Sequence, residues 1–487
     1  MILGRQTLIY GLGGAGLQLV GLITLPIFTR VFSPTEYGVL ETTIAGYAAL
    51  LVLADLGLTS SAQRSYYDYE AEQIEERRST LSTGLVSSLL LSVMWGALVV
   101  VLARSISTWQ FGVPGYAALI RIAAIAVPVT VLANFSREVM RLKLLPWAYT
   151  ASAIVGSLGA TAFSITAVLA FHGGLTSVLF GTLVGNGLAA VLGLSVIHRD
   201  LIGRFSRPEL RRMLAYGLPL IPASVALWGV ALLDRSLLYK LGPHSETGQY
   251  AVANRFASLL MFLVTAFALA FGPFQLSLWR EDPDLEKLVR SRMLTYLTVG
   301  LVGAGVLLTL FAREIASIVS PTYTSAYEAV GMLTMSVALF GVSNLVLFGI
   351  GITRRTGYVA VYTLIALGLN VGLNVLLIPP WGMMGSAFAT LVAYGALAVF
   401  YYRRSQILYP TQYHLRKAVI TISLGSVAMA VGLIRFEPLG VSLAVKTATA
   451  LAFAASLWLF RVLDHDDLGG VRAALGRVRP RGSTASA

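Results

Sequence analysis

Charged side chains inside apolar stretches are the residues of this sequence most able to do chemistry. Asp55, Arg121, Asp234 and Arg255 each lie within a run of about 20 mostly apolar residues, the length that spans a bilayer. An ionisable group in such a run costs roughly 2.5–3.5 kcal/mol to insert, and it usually faces a bundle interior or a cavity. These four residues are therefore candidates for contact with a polar substrate.

The arginines suit a phosphate ligand, because a planar guanidinium can bind two phosphate oxygens at once. Arg121 and Arg255 are the candidate phosphate contacts. Arg121 lies about four residues from the end of its apolar stretch, so its long side chain can equally reach the outer membrane surface. For Arg235, at a similar depth, we expect that surface location. Asp55 is a candidate coupling site for a proton or cation, or a residue that packs helices through a buried hydrogen bond.

Asp234 and Arg255 are predicted to pair. They lie near the facing ends of two consecutive apolar stretches, and the short loop between these stretches makes antiparallel neighbours of them. At 1.5 Å per residue, both side chains are expected roughly 7–11 Å below the outer surface. A pair would offset the insertion cost of each charge and still leave guanidinium donors for a phosphate.

Two amides and two prolines complete the set of candidate residues. Asn370 and Asn374 lie one helical turn apart on the same helix face. Their amides could bind sugar hydroxyls, or hold helices together through bonds worth about 0.6 kcal/mol each. Pro219 and Pro222 remove two backbone donors from one apolar stretch, so we expect a kink or break there. That break is a candidate hinge, or a bend around neighbouring helices.

The elements that must position these residues are membrane-spanning helices. The chain has 487 residues, of which 56% are hydrophobic and 12% charged, against about 25% charged in soluble domains. We expect fourteen spans, at about 8–29, 38–60, 81–103, 117–136, 147–171, 175–197, 213–238, 248–271, 291–311, 326–352, 357–377, 384–402, 417–434 and 440–461. The segments between them are too short for a catalytic domain. The sequence therefore predicts an all-α, multi-pass membrane protein that is not an enzyme.

Composition also argues against cofactor, metal and nucleic-acid sites. The chain has no cysteine, and its five histidines are scattered over loops and helix ends, so we expect no metal site. The pattern Gly11, Gly13 and Gly16 matches a dinucleotide fingerprint, but it lies inside an apolar span rather than after a strand. The net charge of +13 is spread over eight separate segments, which does not indicate nucleic-acid binding.

The distribution of basic residues predicts the orientation in the membrane. If both termini are cytoplasmic, 27 of the 36 Lys and Arg residues lie on the cytoplasmic side. Among them are the arginines 137, 141 and 290. Six lie on the outer side: Arg30, Arg104, Lys240, Arg313, Arg435 and Lys446. This asymmetry follows the positive-inside rule and favours attraction to anionic inner-leaflet lipids.

A faint internal repeat predicts how the spans are grouped. Residues 30–38, RVFSPTEYG, are echoed 210 positions later by residues 240–248, KLGPHSETG. An offset of six helices preserves orientation, so the repeat would be a parallel one. The alternative is that Pro, Glu and Gly recur in any turn before a helix. We expect two six-helix bundles at 1–205 and 206–410, an appended helix pair at 411–465, and a basic, disordered tail at 466–487.

Several segments together resemble the polysaccharide-export flippases of the multidrug/oligosaccharidyl-lipid/polysaccharide exporter superfamily. They are residues 25–38, LPIFTRVFSPTEYG; residues 55–64, DLGLTSSAQR; residues 216–222, YGLPLIP; the Asp234–Arg235 pair; and residues 248–250, GQY. Each segment alone is weakly specific, but they occur in the family's order from the first span to the twelfth.

The resemblance implies a bacterial inner-membrane flippase without cofactors. Such a protein moves an undecaprenyl-diphosphate-linked oligosaccharide to the outer leaflet by alternating access, and polysaccharide polymerase machinery is an expected partner. Arg64 matches a basic position of the family motif, so it is a candidate at the substrate entrance or an ordinary basic anchor. The alternatives are a cation-coupled multidrug antiporter of the same superfamily and, less well supported by the short outer loops, a membrane polysaccharide polymerase.

The charge asymmetry predicts that both termini and the loop holding Arg204 to Arg212 are cytoplasmic. Reporter fusions after residue 410 are expected to be active only as cytoplasmic reporters, because the loops on that side carry most of the basic residues. A periplasmic signal at this position would contradict both the orientation and the parallel repeat.

Overall fold

The computed structural model describes residues 24–70 and 72–462, and every regular element in that part of the chain is a helix. A bilayer offers the backbone no hydrogen-bond partner, so a spanning segment must satisfy its own N–H and C=O groups as a helix does. The helices are α1 Pro34–Asp55, α2 Leu58–Tyr67, α3 Ile74–Phe111, α4 Ala117–Leu142, α5 Pro146–Leu169, α6 Leu175–Ile197, α7 Arg207–Gly217, α8 Ile221–Trp228, α9 Asp234–Leu241, α10 His244–Glu281, α11 Pro283–Val319, α12 Tyr327–Val346, α13 Phe348–Ile352, α14 Gly357–Leu408, α15 Leu415–Val431 and α16 Leu439–Leu459. The predicted all-α membrane class is confirmed.

The described residues contain fewer separate spanning helices than the fourteen predicted spans. Eleven helical segments of the described chain are long and apolar enough to span a bilayer. One of them, α14, has 52 residues and a kink at Gly382, which is length enough for two crossings. Helix α15 has 17 residues, slightly fewer than each of these eleven segments. Most of the first predicted span and the basic tail at 466–487 lie outside the described residues, so the count of fourteen stays a prediction.

The helix expected at 38–60 is broken. It ends at Asp55 as α1, and α2 begins at Leu58. Between them, Leu56 and Gly57 adopt left-handed backbone angles, with φ of 45° and 71°. The expectation of one continuous helix over 38–60 is therefore wrong, because a left-handed pair cannot continue a right-handed helix.

The predicted break at the two prolines is confirmed. Helix α7 ends at Gly217, a 3₁₀ turn follows at Leu218–Leu220, and α8 starts at Ile221. A π-helical turn at Gly229–Leu233 then separates α8 from α9. Proline lacks the N–H that an α-helix needs in its interior, which explains why the chain leaves α geometry at Pro219.

The chain forms two compact units. The first contains the described residues up to Val252 together with Val319–Tyr323 and Thr363–Ala389. The second contains Ala253–Ile318, Thr324–Tyr362 and the described residues from Thr390 onward. The boundaries at Val252, Tyr362 and Ala389 fall inside helices α10 and α14, so these helices contribute to both units. The division into bundles at 1–205 and 206–410 stays a prediction.

Within the first unit, the two segments of the predicted repeat pack against each other. Ser33 and Glu36 form a capping box at the start of α1, with the Ser33 amide 2.9 Å from Glu36 Oε2. A Cβ at Gly38 would lie 3.0 Å from Thr247 Cβ, and a Cβ at Gly248 would overlap the backbone of Pro34. Glycine at both positions allows the starts of α1 and α10 to touch.

Within the second unit, α15 and α16 both pack against α11, and α16 does so through a buried ion pair. Lys446 of α16 is fully buried, and its Nζ lies 2.6 Å from Glu314 Oε1. Ser442 donates a second hydrogen bond to the same carboxylate, at 2.8 Å. A Cβ at Gly425 of α15 would overlap Val302 of α11. The assignment of Lys446 to the outer side stays a prediction, and the lysine also holds α16 to α11.

A second buried ion pair lies within α11, and one of its members also contacts the connection before α15. Arg290 Nε lies 3.1 Å from Glu286 Oε1, and both side chains are fully buried. Gln275 donates to Glu286 at 2.7 Å, and Arg290 donates to the hydroxyl of Thr411. The assignment of Arg290 to the cytoplasmic side stays a prediction. Its burial shows that a basic residue at a helix end can serve packing as well as orientation.

The Lys446–Glu314 pair predicts an asymmetric effect on stability. Lys446→Met is expected to lower the free energy of unfolding by about 3 kcal/mol, because it leaves a largely buried carboxylate without its counter-ion. Adding Glu314→Leu should recover most of that loss, since two apolar side chains then replace the pair. Thermal unfolding of the purified protein in detergent measures both effects.

The matched control is Lys287→Met, because Lys287 pairs with Asp284, whose side chain is 93% exposed. This change is expected to cost no more than about 1 kcal/mol. Equal losses for Lys446→Met and Lys287→Met would contradict a structural role for the buried pair.

Candidate functional site

A polar cavity of about 320 Å³ lies in the first unit, between α1, α2, α4 and α5. Its lining combines two apolar side chains with six polar ones: Leu51, Val131, Asp55, Thr59, Asn134, Arg137, Glu138 and Tyr149. In the predicted orientation it occupies the cytoplasmic half of the membrane. A polar cavity at this depth has the character of a substrate-binding site.

The break between α1 and α2 positions the carboxylate of Asp55 at this cavity. The Thr59 amide donates to Asp55 Oδ1 at 3.1 Å, and the Thr59 hydroxyl donates to the same oxygen. The first N–H groups of a helix have no partner in their own helix, so Asp55 serves as a cap for α2. The packing alternative for Asp55 thus has a physical basis, and the residue also lines the cavity.

Helix α4 contributes a row of polar side chains. Glu138 Oε2 lies 2.6 Å from Arg141 NH2 and accepts a hydrogen bond from Gln63 of α2. Arg137 donates to the side-chain oxygen of Asn134, which is a neutral acceptor. A guanidinium has five N–H donors, so Arg137 retains donors for a ligand. Amides, carboxylates and guanidinium groups bind sugar hydroxyls and phosphate oxygens.

The two helix breaks of the first unit touch each other beside this cavity. A Cβ at Gly57 would lie 3.0 Å from Gly217 Cα, and a Cβ at Gly217 would lie 2.7 Å from Leu56 O. Pro219 follows in the adjoining 3₁₀ turn. The backbone of the break after α1 therefore rests directly on the break after α7. The hinge role of Pro219 and Pro222 stays a prediction, now with a specific contact to test.

Arg64 lies on α2 within the same region. Its guanidinium is exposed and stacks over the ring of Tyr216 of α7, 4.6 Å from the ring centroid. Such a cation–π contact is worth about 0.5–1 kcal/mol at an exposed site. It holds the arginine against α7 on the side that is cytoplasmic in the predicted orientation, and its role at a substrate entrance stays a prediction.

Asp234 and Arg235 are both buried. Tyr250 donates to Asp234 Oδ2 at 2.5 Å, and the Arg235 amide donates to Oδ1 at 2.8 Å. Arg235 Nε lies 3.5 Å from Glu41 Oε2, and the residue is only 7% exposed. The expected surface location of Arg235 is therefore wrong, because a buried carboxylate draws the guanidinium inward. Pairing of Asp234 with Arg255 stays a prediction.

The other predicted residues are not among those that line the polar cavity. Arg121 is exposed in the second turn of α4, and Arg255 is half-buried on α10. Asn370 and Asn374 are fully buried on α14, with Asn374 Nδ2 donating to Asn370 Oδ1 at 3.1 Å. Their burial favours helix packing over sugar binding in this conformation.

Sequence reasoning missed most of the cavity. Arg137 and Arg141 were assigned only to membrane orientation, and Glu138 and Tyr149 were not considered. A signal existed, since Asn134, Arg137, Glu138 and Arg141 follow helical spacing on one face of α4. A row of polar residues on one face, at the end of an otherwise apolar span, indicates that this face contacts water or a polar ligand.

The sequence has recognisable relatives. Residues 3–274 match the family described as "Polysaccharide biosynthesis protein", which is more than half of the chain. The chain belongs to this family. The succinoglycan biosynthesis transport protein ExoT of Rhizobium meliloti (strain 1021) is 27% identical over 242 residues, 49% of this chain and 46% of that protein. The match thus spans about half the length of this curated relative.

Solved structures share the fold at low sequence identity. The lipid II flippase MurJ in an inward closed conformation matches with a TM-score of 0.71 and 14% identity, over 94% of this chain and 100% of MurJ. An inward-facing multidrug resistance transporter of the MATE family and MOP superfamily matches with a TM-score of 0.68 and 15% identity, over 80% of this chain and 94% of the transporter. These structures show that the fold is shared. With the family match and the apolar helices, they describe a multi-pass membrane protein of the polysaccharide biosynthesis family, and the predicted family is confirmed.

The contact between the two breaks predicts that Gly57→Ala and Gly217→Ala reduce both protein abundance and polysaccharide export. Alanine at φ 71° costs about 1–2 kcal/mol, and a methyl group at Gly217 meets a carbonyl oxygen. Immunoblotting of membranes measures abundance, and the exported polymer is quantified in parallel. Gly372→Ala is the control, because a Cβ there meets open space. Normal export by both variants would show that the close contact is dispensable.

Proposed function

We propose that this protein moves an undecaprenyl-diphosphate-linked oligosaccharide from the inner to the outer leaflet of the bacterial inner membrane. Family membership supports a transporter of polysaccharide biosynthesis. The observation that carries the proposed cargo is the polar cavity beside α4, with a guanidinium, an amide, two carboxylates and a phenol inside an otherwise apolar helical protein.

The parts of the proposed cargo match different parts of the first unit. The diphosphate is anionic, and Arg137, whose bonded partner is an amide, is the cavity residue best suited to it. Sugar hydroxyls both donate and accept hydrogen bonds, as do the side chains of Asn134 and Tyr149. The polyprenyl chain can stay in the lipid, where it needs no polar partner. Arg64, exposed at the cytoplasmic end of α2, is suited to first contact.

Alternating access requires helices that bend without losing their backbone hydrogen bonds. The break after α1 and the turn at Pro219 touch through Gly57 and Gly217. Bending of the chain at one break would therefore displace the backbone at the other. Asp55 caps α2 at this point. Movement of α2 would therefore change the surroundings of a carboxylate in the cavity, which supports the candidate coupling role of Asp55.

The proposed surroundings of the protein follow from the predicted orientation. With both termini cytoplasmic, the polar cavity would lie in the half of the membrane that faces the side on which lipid-linked repeat units are made. The basic cytoplasmic loops would contact anionic lipids, and polysaccharide polymerase machinery would receive the cargo at the outer leaflet. Arg121, Arg255, Asn370 and Asn374 remain candidate contacts for other stages of transport, when different surfaces face the cargo.

The first test is deletion of the protein followed by analysis of lipid-linked repeat units. These units are expected to accumulate with their sugars facing the cytoplasm, where a membrane-impermeant glycosidase or lectin cannot reach them in intact spheroplasts. Normal export together with increased retention of dyes would instead favour the multidrug antiporter alternative.

The second test concerns Arg137. Arg137→Ala is expected to reduce export about tenfold or more, because a hydrogen bond to a charged group contributes about 1.5–3 kcal/mol. Arg137→Lys should restore export only in part, since a lysine cannot bind two oxygens in a fixed geometry. Arg211→Ala is the matched control, because Arg211 is an exposed arginine of α7 outside the cavity. Equal export by the two alanine variants would contradict a cargo-binding role for Arg137.

A further inference from the structure

A second cavity, of about 350 Å³, lies in the first unit between α1, α3, α4 and the segment from α8 to α9. Its walls are mainly apolar and aromatic, with Tyr47, Leu50, Val99, Ile106, Phe111, Ile120, Trp228 and Leu237 among the lining residues. The volume falls within the range of about 300–1,000 Å³ that is typical of ligand pockets. In the predicted orientation, this cavity belongs to the outer half of the membrane.

Hydrogen bonds across the cavity hold its walls in place. Trp228 Nε1 donates to the Ala45 carbonyl at 3.1 Å and joins α8 to α1. Gln110 Nε2 donates to the Ser236 carbonyl at 3.0 Å and joins α3 to α9. A Cβ at Gly46 would meet no atom within 4 Å. The cavity walls are therefore held together by hydrogen bonds, and the space beside Gly46 is open.

One cation lies at the mouth of the cavity. The Lys240 ammonium sits 3.4 Å from the centroid of the Trp109 ring, and Trp109 is 68% exposed. Both residues lie near the C-terminal ends of their helices, α3 and α9, at the predicted outer surface. Tryptophan at this depth is typical of the membrane interface, where lipid phosphates are found.

We propose that this cavity binds one acyl chain of a monoanionic phospholipid of the outer leaflet, with the lipid phosphate on Lys240. The apolar walls accept a hydrocarbon chain, and the single ammonium at the mouth complements a single negative charge. The lining contains no arginine, so it lacks the bidentate donors that suit a diphosphate. The occupant is thus a membrane phospholipid rather than the cargo of the proposed function.

A lipid in this position would bridge elements that otherwise meet at few polar contacts. Its chain would pack against α1 and α4, and its phosphate would be held at the ends of α3 and α9. Lipid tails are as apolar as leucine, so the chain alone gains little by leaving the bilayer. Selectivity must therefore come from the headgroup charge, and the test is built on that difference.

The test uses the purified full-length protein and native mass spectrometry, with phosphatidylglycerol and phosphatidylcholine of the same chain length added separately. One phosphatidylglycerol is expected to remain bound at concentrations at which phosphatidylcholine is lost. Lys240→Gln should weaken phosphatidylglycerol binding about fivefold, the effect of about one cation at an anionic surface. Gly46→Leu should abolish retention, because its side chain fills the space beside α1.

Two variants serve as matched controls. Arg104→Gln removes an exposed outer-side cation of α3 that does not line the cavity, and Gly187→Leu adds a side chain at another open helical glycine. Both are expected to retain phosphatidylglycerol as the unmodified protein does. If Gly46→Leu fails to fold, comparison of Lys240→Gln with Arg104→Gln decides the question.

Three results would overturn the proposal. They are equal retention of the two phospholipids, unchanged retention in Lys240→Gln, and displacement of phosphatidylglycerol by an equal amount of polyprenyl phosphate. The last result would assign the cavity to a polyprenyl lipid instead. Because the assay measures binding alone, its outcome is independent of whether the protein transports an oligosaccharide.

Discussion

Every backbone N–H and C=O group that enters the hydrocarbon layer must find a partner within the protein, and the arrangement of this molecule depends on that constraint. Unbroken helices meet it for the backbone. Where a helix breaks, free N–H groups need an acceptor, and at Leu56–Gly57 the carboxylate of Asp55 supplies one. The same break brings polar side chains together beside α4. The polar cavity therefore lies where the backbone itself requires polar neighbours.

The charges inside the membrane region serve two different purposes. Arg235 with Glu41, Arg290 with Glu286, and Lys446 with Glu314 are buried pairs that join different helices or adjacent helical turns. Removing one member of such a pair leaves an unpaired buried charge, which makes these residues structural. Arg137 differs, because its bonded partner is an amide and it lines a cavity. A charged residue whose partner is an opposite charge is therefore assigned to packing. A charged residue bonded to a neutral group and lining a cavity is a candidate cargo contact.

The fold alone does not determine what this protein does. The same architecture occurs in a lipid II flippase and in multidrug transporters, each at about 15% identity to this chain. A fold shared at this distance does not determine function, which depends on the residues of a site. Here the site chemistry differs between two cavities of one unit. The polar one suits sugars and phosphate, and the apolar one, with a single lysine at its mouth, suits a phospholipid.

Local properties of the sequence were sufficient to determine the all-α membrane class, the approximate spans, the break at Pro219 and the family. Hydropathy and proline geometry act over about 20 residues or fewer, so they can be read without a fold. The break at Leu56–Gly57 and the roles of individual charges could not be read in this way. Gln63 meets Glu138 across 75 positions, and Lys446 meets Glu314 across 132. Only tertiary packing brings such residues together, because the free energy of a buried charge depends on its partner and not on its neighbours in sequence.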